Sequence, residues 1–238
     1  MAFSDFVAAT NGTPNPAHIF DLLQKETAEL GFDWVALGAL TPQAAAPQKK
    51  LPAPAVALNY PQDWVEHYFK QNYEKIDPVV MHSQVTLSPL FWSDCLERIS
   101  LNRAQRQIFL EAREVGLNDG ISIPIHAPFG GAYVLSLASS LGGAEPKVHV
   151  AHLRALAMQF FVTYADVSPP QPGIHLTARE RDCLLWSARG KSNWDIGSIL
   201  KISEHTVDFH FRKAMAKLNC NNRVVAVVAA MRYGLINP

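Results

Sequence analysis

The sequence predicts an α+β fold in its first two thirds, with helices covering an antiparallel sheet, followed by a domain made only of helices. Apolar residues occur at both strand-like and helical spacings up to about residue 165, and only at helical spacing after about residue 175. Between these parts, Val167–Gly173 holds three prolines and a glycine, which favour a stiff linker. The 238 residues are 48% hydrophobic, enough for two cores.

We therefore place the first domain at residues 1–167, a linker at 168–174 and the second domain at 175–238. A Pro/Ala-rich stretch, Thr41–Pro54, is expected to form a long loop within the first domain. No apolar run is long enough to cross a bilayer, and the first residues lack the pattern of a secretion signal. We therefore expect a cytoplasmic protein without a membrane partner, whose three cysteines are free thiols.

The first domain alternates between the two periods. Helices are expected at 18–30, 64–73, 103–115 and 148–164, and strands at 33–40, 53–58, 121–125 and 133–138. Gly31 and Gly116 follow two of these helices, where a residue with positive φ commonly ends a helix. The last two strands are joined through Pro128–Gly131 and are expected to form one antiparallel unit.

The second domain has well-marked helix ends. Thr177 and Glu180 have the spacing of a capping box, and Gly190 would end the helix that they begin. Ser192 can cap a second short helix to Leu200, with Ile196 and Ile199 facing inward. After a tight turn at Ile202, Ser203 can cap a third helix to Lys217, and a fourth runs over 222–233. Two short helices separated by such a turn predict a helix-turn-helix.

The distribution of charge favours DNA as the partner of this domain. The chain has no net charge, but residues 174–238 carry ten Lys/Arg and five Asp/Glu, a net charge of +5. Residues 1–173 therefore carry a net charge of −5. The third helix would be the recognition helix, with nearby cations, Arg223 included, meeting phosphates. The residues expected to contact DNA are Lys191, Lys201, His205, Thr206, Asp208, Phe209, Arg212, Lys213 and Lys217. The alternative is a helical bundle that binds a protein and uses these charges only for solubility.

Several motifs resemble those of a known family. The second domain resembles the LuxR-type DNA-binding domain in Leu176-Thr-Ala-Arg-Glu-Arg-Asp-Cys-Leu184, Ile202-Ser-Glu-His-Thr-Val207 and Gly234-Leu-Ile236. Gly197 departs from the commoner alanine and should loosen its helix slightly. In the first domain, Tyr60-Pro-Gln-Asp-Trp64, Tyr68, Asp77-Pro78, Trp92 and Gly120-Ile-Ser-Ile-Pro124 resemble the autoinducer-binding domain of quorum-sensing LuxR regulators.

This resemblance implies an α-β-α sandwich that encloses an acyl-homoserine lactone. The Trp64 indole would donate to the lactone carbonyl, and Asp77 would accept from the amide N–H. The remaining ligand-binding set would contact the amide or its carbonyl (Tyr60, Ser136) or shape the pocket (Tyr68, Trp92, Gly120). We further expect a homodimer on a near-palindromic double-stranded DNA operator, with the helix over 222–233 as a dimer contact and RNA polymerase as a further partner. Whether the protein is an activator or a repressor stays open.

Other interpretations stay open. Taken singly, Trp64 and Tyr68 fit a core stripe, and Asp77 before Pro78 fits a helix cap. An enzyme would need a nucleophile and a base, yet no nucleophile elbow, phosphate loop or paired acidic cluster is present. The first domain lacks the pattern of a phosphorylated receiver. A regulator of this class that binds another small molecule, or acts without one, remains an alternative. We expect no catalytic site, no metal and no cofactor.

Overall fold

The structure is a computed structural model that describes residues 2–41, 55–127, 131–141, 146–167 and 175–238. The expected linker at 168–174 lies outside the described residues, as do most of the Pro/Ala-rich loop and of the turn at Pro128–Gly131. The chain divides into two compact units. Of the described residues, 2–127 and 132–167 belong to the first unit and 175–238 to the second.

The first unit combines seven α-helices and five strands within its described residues. The helices are α1 (Phe3–Asn11), α2 (Pro16–Glu29), α3 (Gln62–Lys70), α4 (Pro78–Ser83), α5 (Trp92–Arg98), α6 (Arg103–Glu114) and α7 (Pro146–Val167). The strands are β1 (Trp34–Ala39), β2 (Ala55–Leu58), β3 (Leu90–Phe91), β4 (Asp119–His126) and β5 (Ala132–Ser139), and Tyr73–Lys75 forms a turn of 3-10 helix.

The five strands form one antiparallel sheet in the order β2-β1-β5-β4-β3. Successive side chains of a strand point to opposite faces, so β5 contributes Leu135 and Leu137 to one face and Val134 and Ala138 to the other. Helices α1, α2 and α7 pack on the first face, and α3 to α6 pack on the second. The predicted α-β-α sandwich is therefore confirmed.

Most of the predicted elements of this unit are confirmed to within a few residues. Gly31 and Gly116 have φ values of +85° and +88°, as expected for residues that end helices. The structure adds α1, α4, α5 and β3, which the sequence patterns did not reveal. Helices α4 and α5 are shorter than two full turns, and β3 spans only two residues, so none of the three is long enough to show a period in the sequence.

The second unit consists of α8 (Ala178–Ala188), α9 (Asn193–Leu200), α10 (Glu204–Lys217) and α11 (Arg223–Arg232). The predicted caps are confirmed, because the hydroxyls of Thr177, Ser192 and Ser203 each accept a backbone N–H in the first turn of the following helix. The predicted inward position of Ile199 is wrong: the residue is 40% exposed, and Ile196 alone of the pair is buried.

None of the helices in the described ranges is both long and apolar enough to cross a membrane.

Candidate functional site

A cavity of about 570 Å³ lies in the first unit, between the sheet and the helices α3, α4 and α6. Its size is typical of small-molecule sites, and most of its lining is apolar. Six of the seven residues predicted to bind the ligand line this cavity: Tyr60, Trp64, Tyr68, Asp77, Trp92 and Ser136. The sequence separates these residues by as many as 76 positions, and the fold brings them to one cavity.

Asp77 is held in place by its role at the beginning of α4. Its Oδ1 accepts the Val79 amide at 2.8 Å, and its Oδ2 accepts the Tyr68 hydroxyl at 2.7 Å. Burial raises the pKa of this carboxyl, although the bonds from Tyr68 and Val79 act in the opposite direction. The residue is thus both the helix cap and a wall of the cavity. Two carboxylate oxygens offer about four acceptor positions, so further bonds to a ligand remain available.

A chain of hydrogen bonds crosses the sheet beside Asp77. The Trp92 indole donates to the Ser122 hydroxyl at 2.9 Å, and that hydroxyl lies 2.9 Å from the Ser136 hydroxyl. Ser122 and Ser136 are directly opposite each other on β4 and β5. The Trp92 N–H therefore already has an acceptor in Ser122. The Ser136 hydroxyl, which lines the cavity, is oriented by its hydrogen bond with Ser122.

Two other polar groups belong to side chains that line the cavity, those of Tyr60 and Trp64. The Tyr60 hydroxyl is buried and has no hydrogen-bond partner among the described residues. Burial raises the pKa of Tyr60, with a smaller rise from the Asp77 charge, and the neighbouring Ser136 hydroxyl lowers it without forming a well-aligned bond. The Trp64 indole also lines the cavity, where it packs 5.8 Å from the Tyr68 ring.

Gly120, the seventh predicted residue, is not among the residues that line the cavity, but it contacts Trp92, which does line it. A Cβ at this position would overlap the Leu137 carbonyl oxygen and would lie 3.1 Å from the Trp92 ring. Glycine therefore lets Trp92 press against β4 at close range. The position contributes to the pocket through the placement of Trp92.

Glu74 is a cavity residue that the sequence patterns did not reveal. It lies in the 3-10 turn between α3 and α4 and lines the cavity, and its Oε2 is buried without a hydrogen-bond partner among the described residues. In the sequence it stands in the polar run Gln71–Lys75, which is typical of a solvated turn. Only the tertiary structure places this carboxyl against a cavity.

In the second unit, α9 and α10 are joined by a tight turn. Lys201 ends α9 in the left-handed region at φ +56°, and the Ile202 amide bonds to the Gly197 carbonyl at 3.0 Å. A Cβ at Gly197 would lie 2.7 Å from the Ile202 carbonyl oxygen. Gly197 was expected only to loosen α9, but the structure gives it a positive role, since it permits this close approach.

The residues predicted to contact DNA lie on the outer surface of this unit. Eight of the nine are exposed and Thr206 is half-buried. Arg212 pairs with Asp208 at 3.0 Å, and the Lys213 ammonium lies over the Phe209 ring at 5.6 Å. Both contacts join residues one turn apart on the solvent side of α10, where they keep the cations extended along the helix.

Lys217 makes a strong internal contact. Its ammonium lies 2.7 Å from the Glu180 carboxylate and donates to the His175 carbonyl at 3.0 Å. Burial would raise the pKa of Glu180, but the bonds from Lys217 and Thr177 lower it overall. A DNA contact by Lys217 would have to compete with this pair, which ties α10 to the beginning of α8.

Arg223 also turns inward, at the beginning of α11. Its guanidinium bonds to Ser187 Oγ at 2.6 Å, to Asn193 Oδ1 at 2.7 Å and to the Lys191 carbonyl at 2.7 Å. The same group lies 4.3 Å from the centre of the Phe211 ring. The guanidinium thus joins α11 to α8, to α9 and to the segment between them, so a phosphate contact by Arg223 would have to compete with these bonds.

Two family models match this chain and together cover most of it. The model described as "Autoinducer binding domain" matches residues 15–164, and the model described as "Bacterial regulatory proteins, luxR family" matches residues 175–230. The first match contains the whole cavity, and the second contains α8 to α10 and most of α11.

Curated relatives and solved structures agree with these matches. The chain is 33% identical to the transcriptional activator protein AnoR of Acinetobacter nosocomialis, with 98% of each protein covered. It is 34% identical to the quorum sensing-dependent transcriptional regulator RpaR of Rhodopseudomonas palustris, covering 98% of this chain and 93% of RpaR. The crystal structure of Escherichia coli SdiA has the same fold, with a TM-score of 0.80 at 22% identity over 99% of this chain and 98% of that one.

Proposed function

This chain belongs to the LuxR family of bacterial transcriptional regulators with an autoinducer-binding domain, and from this premise we propose that its ligand is an acyl-homoserine lactone. Binding in the first unit would control the DNA-binding activity of the second. We propose the domain bounds 1–167 and 175–238, with the linker at 168–174, in keeping with the residues that the two family models match.

The observation that carries the ligand proposal is the set of polar groups in an otherwise apolar cavity. An acyl-homoserine lactone offers one amide N–H donor, an amide carbonyl and a lactone carbonyl. Asp77 supplies a buried acceptor, and the Tyr60 hydroxyl supplies a donor with no other partner among the described residues. The indole N–H of Trp64, which also lines the cavity, supplies a second donor. The chemistry is complementary group by group, and the apolar lining suits the acyl chain.

We propose that the ligand acts by completing this core. A partly polar cavity is costly to leave unfilled, so a ligand that binds only the folded state stabilises it by mass action. The stabilised units would then hold two linked DNA-binding units at the spacing of their half-sites. A regulator that functions on DNA and with RNA polymerase would work in the cytoplasm.

We further propose that the protein binds DNA as a homodimer with α11 as one contact. Ala226 and Ala230 face the core of the second unit, which leaves Val224, Val228 and Met231 on the outer side of the helix, 72%, 45% and 39% exposed. These outer residues recur every three to four positions and form an apolar stripe. A two-fold contact through such a stripe suits a near-palindromic operator.

The experiment is to select operator sequences from random double-stranded DNA with the purified full chain, and to measure affinity with and without lactone. We expect a near-palindromic site and an affinity that rises with a lactone that stabilises the protein. Val228→Glu should weaken binding to the full site more than binding to a half-site. Ligand-independent affinity, with no lactone bound, would favour a regulator that responds to another molecule or to none.

A further inference from the structure

Glu74 is a second carboxyl group in the cavity, and the lactone head group gives it nothing to bind. Its Oε2 is buried and lacks a hydrogen-bond partner among the described residues, although the side chain lines the cavity. The head group has a single N–H donor, which the proposed function assigns to Asp77. Every other polar atom of the head group is an acceptor, and a carboxylate repels acceptors.

The position of Glu74 is determined by its surroundings. The Asn72 backbone is left-handed at φ +55°, and the amides of Lys75 and Asp77 bond to the carbonyls of Asn72 and Tyr73, which fixes the turn. The neighbouring Tyr73 points elsewhere, donating from its hydroxyl to Glu111 at 2.7 Å. Glu74 and Tyr68 line the same cavity, and the Glu74 charge raises the pKa of the Tyr68 phenol, although burial raises it more. The turn thus places the Glu74 side chain at the cavity that Tyr68 and Asp77 also line.

In the structure, the Glu74 Oε2 is already shielded from solvent and has no partner among the described residues, which is costly for a carboxyl group. A ligand without a donor near Glu74 leaves that cost in place. A hydroxyl on the ligand would supply the missing donor to the carboxyl group, and a hydrogen bond to a carboxylate is one of the stronger kinds. A ketone at the same place would face the carboxylate with its oxygen.

We propose that Glu74 accepts a hydrogen bond from the acyl portion of the ligand, so that this cavity selects lactones whose acyl chain carries a hydroxyl group. The inference rests on the proposed function, because it takes the lactone amide to be bound by Asp77. It goes further by stating the chemical class of the acyl chain. The hydroxyl can be that of an aliphatic alcohol or of a phenol, since each offers one O–H donor.

The test measures dissociation constants for the purified full chain with matched lactones. One series is octanoyl-, 3-oxo-octanoyl- and 3-hydroxyoctanoyl-homoserine lactone, and the other is the 3-phenylpropanoyl lactone with and without a para hydroxyl. In at least one series the hydroxyl compound should bind about tenfold or more tightly than its unsubstituted counterpart, as expected for a bond to a charged group. The oxo compound should bind worst. The series that shows the preference identifies alcohol or phenol.

Two variants assign the preference to Glu74. Glu74→Ala should abolish the advantage of the hydroxyl compound, and Glu74→Gln should improve the oxo compound, because an amide can donate to a ketone. Glu66→Gln, at an exposed glutamate of α3, is the matched control and should leave the order of affinities unchanged.

Failure of this inference and failure of the proposed function would give different results. Equal affinities within both series, or a hydroxyl preference that persists in Glu74→Ala, would overturn the inference and leave the lactone site intact. Absence of binding by every lactone, in a folded protein, would overturn the proposed function itself. If the Glu74 variants do not fold, the order of affinities of the wild-type protein still decides the proposal.

Discussion

Replacing Asp77 by asparagine should remove the response to ligand while leaving the fold in place. Asparagine is as good a helix cap as aspartate, so Oδ1 can still accept the Val79 amide and begin α4. The Tyr68 hydroxyl, now 2.7 Å from the carboxylate, can rotate and accept from the new amide. What the variant loses is the charged acceptor for the ligand N–H.

The size of the effect follows from that one bond. A hydrogen bond to a charged group contributes about 1.5–3 kcal/mol, so Asp77→Asn should weaken lactone binding about ten- to 150-fold. The assay is the shift in thermal midpoint against lactone concentration for the purified full chain, with Asp63→Asn, at an exposed aspartate of α3, as the control. The same dose-response in wild type and Asp77→Asn would refute the assignment of Asp77 to the ligand.

Without ligand, the pH dependence of the thermal midpoint of Asp77→Asn provides a second test. Burial raises the pKa of Asp77 above its ordinary value. A carboxyl whose pKa is raised on folding stabilises the folded state while it is protonated, and that stability is lost as the pH rises through the folded pKa. Asparagine does not ionise, so the midpoint of Asp77→Asn relative to wild type should increase from acidic to neutral pH. A difference that stays constant over this range would contradict the direction given for the pKa.

Four further changes separate the roles of the remaining site residues. Trp64→Phe removes the indole N–H and keeps an aromatic ring, so lactone binding should weaken about two- to tenfold, and an unchanged affinity would exclude that donor. Gly120→Ala should lower the free energy of unfolding by about 1–3 kcal/mol, because its methyl group would collide with the Leu137 carbonyl and press on Trp92; full stability in a denaturant titration would show that the wall can shift. Lys213→Ala should weaken operator binding and reduce its salt slope by about 0.9 if the ammonium meets one phosphate, whereas a wild-type slope would place Lys213 away from the DNA backbone. Lys217→Met should destabilise the second unit by roughly 1–3 kcal/mol, since it leaves the buried Glu180 carboxylate without its cation, and this loss should diminish as acid protonates Glu180; wild-type stability at neutral pH would show that the pair contributes nothing.

The sequence was informative wherever a structure depends on neighbouring residues. The caps at Thr177, Ser192 and Ser203 each use a side chain and an amide within the same helical turn, so their spacing predicts the helix directly. Gly31 and Gly116 likewise mark helix ends because only the local backbone must accept a positive φ. Long elements such as α7 were also recognisable, because a stripe of buried residues recurs over several turns.

The cavity could be predicted only through the family resemblance. Nothing local distinguishes Trp64 as a ligand donor from Trp64 as a core residue, and the joint pattern with Asp77 and Gly120 was needed. Glu74 has no such pattern, since it stands in a polar run that is typical of a solvated turn. The internal contacts of Lys217 and Arg223 were missed for a similar reason: Lys217 bonds to Glu180, 37 positions away, and Arg223 to Ser187, 36 positions away. An ion pair or clamp of that separation leaves no signal in the local sequence.

The most direct test of the account is the thermal midpoint of the purified full chain with and without a panel of acyl-homoserine lactones. A ligand that binds only the folded state raises the thermal midpoint by mass action. At a free concentration of a hundred times its dissociation constant, such a ligand adds about 2.7 kcal/mol to the free energy of unfolding. For units of this size we predict a rise of several degrees with at least one lactone. No rise with any member of the panel, in a folded protein that binds DNA, would contradict the assignment of the cavity to a lactone.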